Sequence, residues 1–524
     1  MPFTLRNLTL QPGQAEAELQ LAASRQIGLP VSAFSSFRII RKAVDARKKP
    51  RVLLVYSVSF SLVDEQALVE RVRSVPNLEY QPETVPQQIV RCSRREPVVI
   101  VGMGPAGLFC GLRLAAYGIP ATIIERGKAV EERVQDVARF WRDGVLDPAS
   151  NVQFGEGGAG TFSDGKLTCR LRDPHTGWVL DQLIRYGAPP EIRYQAKPHV
   201  GTDRLRSVVA AIRAGLRESG CDIRFAHCLT GLETDRHRIT AVYCNHQDEL
   251  PCTHLVLAVG HSARDTYAML ADQQLLMEPK PFAIGVRVEH PQALIDRIQY
   301  GKPHPALPRA DYALTYNNLS TGRSCYSFCI CPGGLVIASS SEPDMVVVNG
   351  MSNLRRDSGK ANSALVVNVR PEDFSGSDPL AGVRFQQKWE RAAFAAGGSN
   401  YHAPAQNLVT FLGQGSGAFA SSYRPGCVEA DLSTVLPEYV TATLHEGIRS
   451  FERKMKGFVT SEATLTGVET RTSAPLRILR DDTLQSPSLQ GLYPCGEGAG
   501  YAGGIMSAAL DGVRVADRIA GQLS

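Results

Sequence analysis

The first ninety residues switch between the hydrophobic period of a strand and that of a helix. Strand-like patterns lie in FTLRNLTL, SFRIIRKAV, PRVLLVYSVSF and LEY, and helical patterns lie in QAEAELQLAASRQIG and DEQALVERVRSV. The resulting order, β-α-β-β-α-β, predicts an N-terminal ferredoxin-like domain over residues 1–90. The stretch 85–97 has mixed charge and two prolines, which indicates a linker to the next domain.

A second unit begins with a strand, a glycine-rich turn and a helix. The apolar run Val98–Val101 is typical of a buried parallel strand, and the G-x-G-x-x-G pattern of a Rossmann-like α/β fold follows it. Gly102 permits a tight turn, Gly104 leaves room for a pyrophosphate, and Gly107 lets the helix pack closely on the strand. The residues predicted to bind the phosphates are Gly102, Gly104, Pro105, Ala106 and Gly107.

An acidic residue at the end of the next strand narrows the choice of cofactor. The strand ATIIE ends at Glu125, whose carboxylate is predicted to accept hydrogen bonds from both hydroxyls of a ribose. A carboxylate there repels a ribose phosphate. The pattern therefore favours FAD or NAD over NADP, with Arg126 on the adenosine side.

A glycine-rich segment near the C-terminus selects FAD. The sequence LYPCGEGAGYAGGIMSAAL resembles the last strand and helix of FAD-dependent oxidoreductases with a glutathione-reductase-like FAD domain. The resemblance implies non-covalent FAD, with its flavin at the positive end of the final helix. HLVLAVG at 254–260 and NVQFGEGGAGTFSDGKL at 151–167 are similar to other segments of that superfamily. The cofactor-binding residues implied in these segments are Gly158, Ala159, Ser163, Lys166, Gly260, Gly496, Glu497, Gly503, Gly504 and Ile505.

Between these segments the pattern changes to a β-rich block. AIGVRVEH, SCYSFCICPGGLVIAS and SALVVNV follow Pro279, and helical patterns cover FQQKWERAAFAAG and TATLHEGIRSFERKM. We therefore expect an α+β substrate or cap domain inserted into a Rossmann-like FAD-binding domain with a mixed sheet. The predicted boundaries are 97–278 and 486–524 for the two parts of the FAD-binding domain and 279–485 for the inserted domain.

Several long strings extend the resemblance to nearly the whole chain. SFRIIRKAVDARKK, NVQFGEGGAGTFSDGKL, SFCICPGG, APAQNLVTF and GVETRTSAPLRI resemble the bacterial family of NAD(P)/FAD-dependent oxidoreductases, which are FAD-dependent dehydrogenases. This implies an enzyme, a dehydrogenase or reductase that transfers two electrons between an organic substrate and FAD. It implies no particular substrate, and it leaves NAD(P)H open as a transient electron donor.

Candidate catalytic side chains lie in the β-rich block and before the last strand. Cys325, Cys329 and Cys331 have even spacing, so a regular strand would place them on one face, packed in the core or with a redox thiol facing the flavin. In GVETRTSAPLRI, Arg471 could grip a substrate carboxylate or phosphate, or serve as a structural salt-bridge partner. The candidate catalytic residues are Lys166, Cys329, Arg471 and Ser473.

Composition and charge exclude several other classes of protein. Hydrophobic residues make up 43% of the chain and charged residues 21%, as in globular domains, which argues against a disordered or fibrous chain. The net charge is only +5, no apolar stretch is long enough to span a membrane, and no signal sequence is recognisable. The twelve cysteines form no C-x-x-C pair, so no metal site is predicted. We expect a cytoplasmic protein whose partner is a small-molecule substrate or electron acceptor.

A basic run in the N-terminal domain suggests one alternative. Seven lysines and arginines between Arg38 and Arg51 could bind RNA or another polyanion, in which case FAD would be structural or sensory. A solvated hairpin is the simpler interpretation of the same run. Nucleic acid is therefore the less favoured partner, and the sequence does not determine the oligomeric state.

Overall fold

The computed structural model describes residues 1–70, 72–81, 90–169, 172–374 and 378–524. The predicted linker lies partly outside the described residues, since 85–89 are not among them. No helix in the described ranges is both long and apolar enough to cross a membrane.

The N-terminal residues form a four-stranded antiparallel sheet. Its elements are β1 (Phe3–Leu10), α1 (Glu18–Ile27), β2 (Phe34–Lys48), β3 (Arg51–Leu62), α2 (Gln66–Val69) and β4 (Leu78–Tyr80). The strand order is β2-β3-β1-β4, so each helix joins two strands that are separated by a third. α1 buries Leu19, Ala23 and Ile27 at helical spacing. α2 is shorter than the helix predicted over 64–75; a short helix needs tertiary packing, and within α2 Leu68 is the residue buried in this core.

Two separate stretches of the chain form a five-stranded parallel sheet. Its strands are β5 (Val98–Val101), β6 (Thr122–Ile124), β7 (Asp222–Arg224), β11 (His254–Leu257) and β23 (Leu492–Pro494), in the order β23-β11-β5-β6-β7. Its helices are α3 (Pro105–Ala116), α4 (Val130–Asp143), α5 (Thr176–Arg185), α6 (Thr202–Glu218), α7 (Arg264–Asp272) and α12 (Ile505–Leu523). α12 packs closely on α3, because a Cβ at Gly512 would lie 2.1 Å from the Ala106 carbonyl oxygen.

The mixed sheet expected for this unit is wrong, because the five strands are all parallel. The antiparallel strands of the region form a separate three-stranded sheet of β8 (Leu229–Asp235), β9 (Arg238–Cys244) and β10 (Asp248–Pro251). Short turns join these three strands, and strands joined by short turns pair as hairpins. Parallel neighbours instead need long crossover connections.

The β-rich block forms a seven-stranded, mostly antiparallel sheet. Its order is β14-β15-β18-β13-β21-β19-β20, with strands β13 (Phe282–Pro291), β14 (Thr315–Asn318), β15 (Arg323–Cys331), β18 (Lys360–Val369), β19 (Ala403–Asn407), β20 (Cys427–Glu429) and β21 (Thr464–Glu469). The helices of the block are α8 (Gln292–Tyr300), α9 (Ala381–Ala396), α10 (Leu408–Phe411) and α11 (Glu438–Lys454). β16 (Leu335–Ala338) pairs with β17 (Val348–Met351). β12 (Met277–Pro279) pairs with β22 (Leu476–Ile478), so the chain enters and leaves the block side by side.

Candidate cofactor-binding site

Four neighbouring parallel strands end at one edge of the five-stranded sheet. β5 leads to Gly102, β6 to Glu125, β11 to Gly260 and β23 to Gly496. Ligands of open α/β sheets bind outside the carboxyl ends of the strands. A cavity of about 1540 Å³ lies at this edge and extends to the seven-stranded sheet and the N-terminal sheet. Pockets for one small ligand measure about 300–1,000 Å³, so this cavity has room for a cofactor and a substrate.

The three glycines of the first turn have different neighbours. Gly102 has a φ of +100°, and a Cβ there would lie 2.4 Å from a backbone oxygen at Ala258. A Cβ at Gly107 would lie 2.0 Å from the Gly102 carbonyl oxygen. At Gly104 the nearest neighbour of a Cβ is the Cα of Gly158, at 3.8 Å, which is ordinary contact. The protein itself therefore requires glycine at 102 and 107, whereas Gly104 leaves space at the cavity.

Two helices begin at the cavity. α3 starts with Pro105 and Ala106, α12 starts with Ile505, and all three residues line the cavity. A helix N-terminus offers unpaired backbone N–H groups and the positive end of the helix dipole. A Cβ at Gly503 or Gly504, which precede α12, would meet no atom within 4 Å in the described part of the chain. These glycines form an open cradle of the kind that an anionic or electron-rich ligand can fill.

Glu125 organises the loops around the cavity. Its buried carboxylate accepts hydrogen bonds from the backbone N–H groups of Met103 at 2.9 Å, Gly127 at 3.0 Å and Gly155 at 3.0 Å. Sequence reasoning predicted a ribose as its partner. The structure adds a role inside the protein, since one carboxylate connects the first glycine turn to the second glycine-rich segment.

We expect Glu125→Ala to lower both the unfolding free energy of the apo protein and its affinity for FAD. Three buried N–H groups would lose their acceptor, and each such loss costs about 1–3 kcal/mol. Urea unfolding should therefore show a loss of about 3 kcal/mol or more. The matched control is Glu132→Ala, an exposed carboxylate on α4, which should stay within about 0.5 kcal/mol of wild type. Weaker FAD binding at unchanged stability would restrict Glu125 to a ribose contact.

Arg126 lies beside Glu125 and is fixed by protein contacts. Its guanidinium donates two hydrogen bonds of 2.9 Å to Asp265 and one of 3.1 Å to Thr266, and it lies 4.2 Å from the Phe154 ring centroid. It also lines the cavity. Its predicted contact with adenosine stays a prediction.

A buried arginine shapes the second glycine-rich segment. Arg133 on α4 donates to the carbonyl oxygens of Asn151, Val152, Gly155 and Glu156 at 2.6–3.2 Å. Sequence reasoning missed Arg133, because an arginine in an amphipathic helix normally indicates a solvated face. The segment that it holds contributes Gly158, Ala159, Ser163 and Lys166 to the wall of the cavity.

Glu497 lies in the loop after β23 and faces the cavity. Burial raises the pKa of its carboxyl to about 7, while the nearby cation Lys280 opposes this shift. No described residue donates a hydrogen bond to this carboxylate. Glu497 can therefore exchange a proton near neutral pH. Gly260 lines the cavity next to this loop, since a Cβ at Gly498 would lie 2.5 Å from the Gly260 carbonyl oxygen.

The raised pKa of Glu497 predicts a pH dependence of stability. The folded apo protein favours the neutral acid, so this stabilisation is complete below the ordinary Glu pKa of about 4.3 and is lost as pH rises through about 7. Glu497→Gln should reduce the fall in unfolding free energy between pH 5 and pH 8 by about 1–2 kcal/mol, after allowance for partial exposure. Urea unfolding across this range checks the sign. Equal slopes in the two proteins would contradict a titrating Glu497.

Arg471 was predicted to be able to grip a substrate, and the structure corrects this. Its side chain touches the cavity wall, but its five N–H groups all have protein acceptors. The acceptors are Glu390, Glu342, Ser262 and Ser341. No donor remains for a substrate carboxylate. Arg471 is therefore a salt-bridge partner that fixes the floor of the cavity, the other interpretation left open by the sequence.

Ser473 does not belong to the described wall of the cavity. Its hydroxyl accepts a hydrogen bond of 3.3 Å from Lys280 Nζ, and it is the preceding residue, Thr472, that lines the cavity. The structure therefore gives Ser473 no direct access to a substrate there.

The three cysteines of β15 do not share one face. Cys325 is buried against α11, where a Cβ at Gly447 would lie 2.6 Å from its sulfur. A bulge interrupts the pairing of β15 with β18 between Phe328 and Cys331. Cys329 lies in this bulge with a φ of +47° and lines the cavity, whereas Cys331 is fully buried. The prediction of one common face is wrong, because a bulge breaks the two-residue period of a strand.

The N-terminal sheet closes one end of the cavity. The backbone N–H of Lys42 donates to the carbonyl of Tyr194 at 2.7 Å, and the N–H of Ala196 donates to the carbonyl of Lys42 at 2.8 Å. Arg41 lines the cavity next to this contact. The predicted basic run thus includes a residue, Lys42, that joins the N-terminal sheet to the segment 194–196.

Several members of the basic run already have partners. Lys42 Nζ lies 2.6 Å from a Glu16 oxygen, and Arg47 lies 2.7 Å from Asp45. Lys49 Nζ donates to a backbone carbonyl of α8 at 2.6 Å. The carboxylates of Glu16 and Asp45 offset the charges of Lys42 and Arg47, whereas Lys49 keeps its charge.

Comparisons with known proteins give two matching family models, one of which describes FAD-dependent proteins, and one relative over nearly the whole chain. The model of the C-terminal domain of FAD-dependent proteins matches residues 281–472, and a model of a domain of unknown function matches residues 3–61. A protein of Clostridium beijerinckii, described only as an uncharacterized protein, is 44% identical over 99% of this chain and 98% of its own length. The chain therefore belongs to the same family as that protein. The match at 281–472 supports the predicted use of FAD.

Solved structures with a related topology are distant. The flavin-dependent brominase Bmp2 is 11% identical, with 82% of this chain and 80% of that chain covered and a TM-score of 0.37. L-proline dehydrogenase from P. horikoshii is 13% identical, with 82% and 94% covered and a TM-score of 0.34. Similarity at this level does not indicate a substrate or a reaction for this chain.

Proposed function

We propose that the protein is an oxidoreductase with a glutathione-reductase-like FAD-binding domain that binds FAD non-covalently and transfers two electrons between FAD and an organic small molecule. The main support is that two helix N-termini, an open glycine cradle and a buried acidic residue meet at one cavity of about 1540 Å³. A cavity of this kind suits a long anionic dinucleotide. FAD, when bound, supplies the two-electron chemistry that side chains lack.

The residues around the cavity fit the parts of FAD in order. Gly104 and Gly158 would hold the pyrophosphate, since neither has a side chain and α3 begins there. Glu125 would hold the adenosine ribose. Its carboxylate oxygens would accept hydrogen bonds from the ribose hydroxyls in addition to those from the three backbone N–H groups. Gly503 and Gly504 would hold the flavin at the start of α12, whose dipole stabilises negative charge.

We assign the part of the cavity on the far side of the α12 N-terminus to the substrate. Glu469 and Glu497 both line the cavity, and burial raises the pKa of each carboxyl to about 7. Glu497, whose carboxylate accepts no hydrogen bond from a described residue, can take or release the proton that accompanies oxidation of an alcohol, amine or thiol. The Glu469 carboxylate is held instead by Arg287 at 2.8 and 3.1 Å. The N-terminal sheet, through Arg41 and Leu54, covers the far end and limits access of water.

A visible absorption spectrum followed by anaerobic reduction tests this proposal. We expect the purified protein to be yellow, to release FAD on denaturation, and to lose its flavin absorbance with NADH, NADPH or a member of a metabolite pool. A protein that takes up no FAD would contradict the proposal. A protein that binds FAD but is reduced by none of these donors would contradict a catalytic role.

The polyanion-binding alternative receives less support. Lys42, Arg47 and Lys49 have protein partners, and Arg41 lies at the cavity. Binding to RNA or DNA at low salt that weakens steeply with added salt would revive this alternative.

A further inference from the structure

Two cysteines lie one behind the other at a bulge in the cavity wall. Phe328 pairs with Ala364 and Cys331 pairs with Asn362, so two residues of β15 lie opposite one residue of β18. The first of these two residues, Cys329, lines the cavity, and Cys331 is fully buried. The bulge thus provides one accessible thiol and one thiol behind it.

A single buried guanidinium holds both cysteines. Arg287 on β13 donates to the Cys329 carbonyl oxygen at 2.7 Å and to the Cys331 sulfur at 3.4 Å. Its other nitrogens bind Glu469 at 2.8 and 3.1 Å and Asn362 at 2.8 Å. Because Arg287 is fully buried and fully engaged, the position of the two cysteines is set by the core of the seven-stranded sheet.

The surroundings favour an ionised thiol at Cys329. The pKa of this thiol lies well below its usual value because of the neighbouring Cys331 side chain, against the effect of burial, and because Lys166 and Arg287 are nearby cations. The Cys331 thiol itself donates to the backbone carbonyl oxygen of Cys329 at 3.5 Å. The pKa of the Cys331 thiol is raised in return. One thiolate beside one thiol is the arrangement from which disulfides form.

Cys329 is also near the proposed position of the flavin. Its charge is close enough to raise the pKa of Glu497, in the loop that leads to α12, and that of Glu469. Lys166 comes from the second glycine-rich segment and lines the same part of the cavity. The accessible thiol of Cys329 therefore lies near Lys166 and Glu497, in the segments assigned to the cofactor, and near Glu469, at the end of the cavity assigned to the substrate.

We propose that Cys329 and Cys331 are a redox pair that exchanges two electrons with the bound FAD through a reversible disulfide. This inference rests on the proposed function, which supplies FAD as the oxidant. When the sulfur–sulfur bond forms, the Cys329 thiolate and the Cys331 thiol together give up two electrons and one proton, the proton coming from the Cys331 S–H, and FAD takes up both electrons and the proton. In the reverse direction two electrons and one proton return from the reduced flavin, the sulfur–sulfur bond breaks to give the thiolate and the thiol, and FAD is reoxidised. The natural substrate class of such a pair is a thiol or a disulfide, by exchange at Cys329.

The experiment counts thiols and electrons in the FAD-loaded full-length protein. Oxidised and dithiothreitol-reduced samples are denatured, alkylated with N-ethylmaleimide and weighed, and the peptides around β15 are mapped. An anaerobic titration with dithionite then counts the electrons taken up per FAD. The variants are Cys329→Ser, Cys331→Ser and, as the matched control, Cys325→Ala, which removes a cysteine of the same strand that packs against α11.

We expect the oxidised wild type to have two alkylated cysteines fewer than the reduced protein, with the missing pair mapped to Cys329 and Cys331. It should also take up two electrons per FAD beyond those of the flavin. Cys329→Ser and Cys331→Ser should both lose this extra uptake while still binding FAD, and Cys325→Ala should keep it.

Three outcomes would contradict the proposal that Cys329 and Cys331 are a redox pair. They are alkylation of all twelve cysteines in the oxidised FAD-loaded protein, a disulfide mapped to other cysteines, or unchanged electron uptake in Cys329→Ser. In these cases FAD remains bound and the proposed flavin function stands. The mapping uses the wild type, so it remains decisive if a serine variant fails to fold. A protein without FAD would instead contradict the proposed function itself.

Discussion

Gly104→Val is expected to abolish FAD binding while leaving the protein folded. A Cβ at this position would lie 3.8 Å from its nearest protein neighbour, so the branched side chain finds room only by entering the cavity at the start of α3. We expect FAD affinity to fall at least about a hundredfold, equivalent to about 2.8 kcal/mol. Valine in place of an N-cap glycine should cost only on the order of 1 kcal/mol of stability. FAD titration and urea unfolding of the apo protein measure the two effects separately.

Two other glycine substitutions serve as controls for Gly104→Val. Gly177→Val adds the same bulk on α5, where a Cβ meets no atom of the described residues within 4 Å, and should leave FAD affinity unchanged. Gly107→Val should prevent correct folding, because its Cβ would lie 2.0 Å from the Gly102 carbonyl oxygen. Normal FAD affinity in a folded Gly104→Val protein would show that the pyrophosphate does not pass this turn.

Glu390→Gln is expected to cause a large loss of stability. The fully buried Glu390 carboxylate of α9 accepts hydrogen bonds from Arg264 at 2.7 and 2.8 Å, from Arg471 at 2.9 and 3.1 Å, and from Thr470 at 2.7 Å. An amide carries no negative charge, so the positive charges of the buried Arg264 and Arg471 guanidinium groups would be much less compensated. Breaking such a buried pair costs about 3–5 kcal/mol, which urea unfolding should show directly.

The pH dependence and a neighbouring variant complete this test. Burial alone would raise the pKa of Glu390, but Arg264 and Arg471 together lower it well below its usual value. Stability from this carboxylate is thus present above the ordinary Glu pKa of about 4.3 and is lost as pH falls. Arg391→Gln, at an exposed position of the same helix, should change stability by no more than about 0.5 kcal/mol. A similar small effect of Glu390→Gln would contradict a structural role for the network.

Much of the nucleotide-binding unit could be predicted from short segments of sequence. The strand at Val98–Val101, the turn at Gly102 and the helix after it lie where the pattern placed them, and the final helix starts at Ile505 as expected. Such elements are predictable because each depends on neighbours close in sequence, through hydrophobic period, glycine conformation and helix start signals. The inserted block was recognised for the same reason, as a change to a two-residue period.

The errors came from contacts between residues far apart in the chain. The spacing of Cys325, Cys329 and Cys331 predicts one face, but the pairing of β15 with β18 contains a bulge, and no local signal marks it. Arg471 resembles a substrate clamp until Glu390 and Glu342 are seen to occupy its donors. Nothing in the sequence indicated that the Glu125 carboxylate accepts hydrogen bonds from three backbone N–H groups, while its contact with a ribose stays a prediction.

The amino-acid sequence by itself determined the resemblance to FAD-dependent proteins and the strands and glycine turns that a dinucleotide requires. Only the tertiary structure decided which side chains remain free to act. In the folded protein the buried side chains of Arg471, Arg133 and Arg287 are occupied by hydrogen bonds to other protein groups. Cys329 lines the cavity, and Cys331 is buried behind it. The physical reason is that secondary structure follows from local backbone preferences, whereas a buried charge must be matched by partners that any part of the chain can supply.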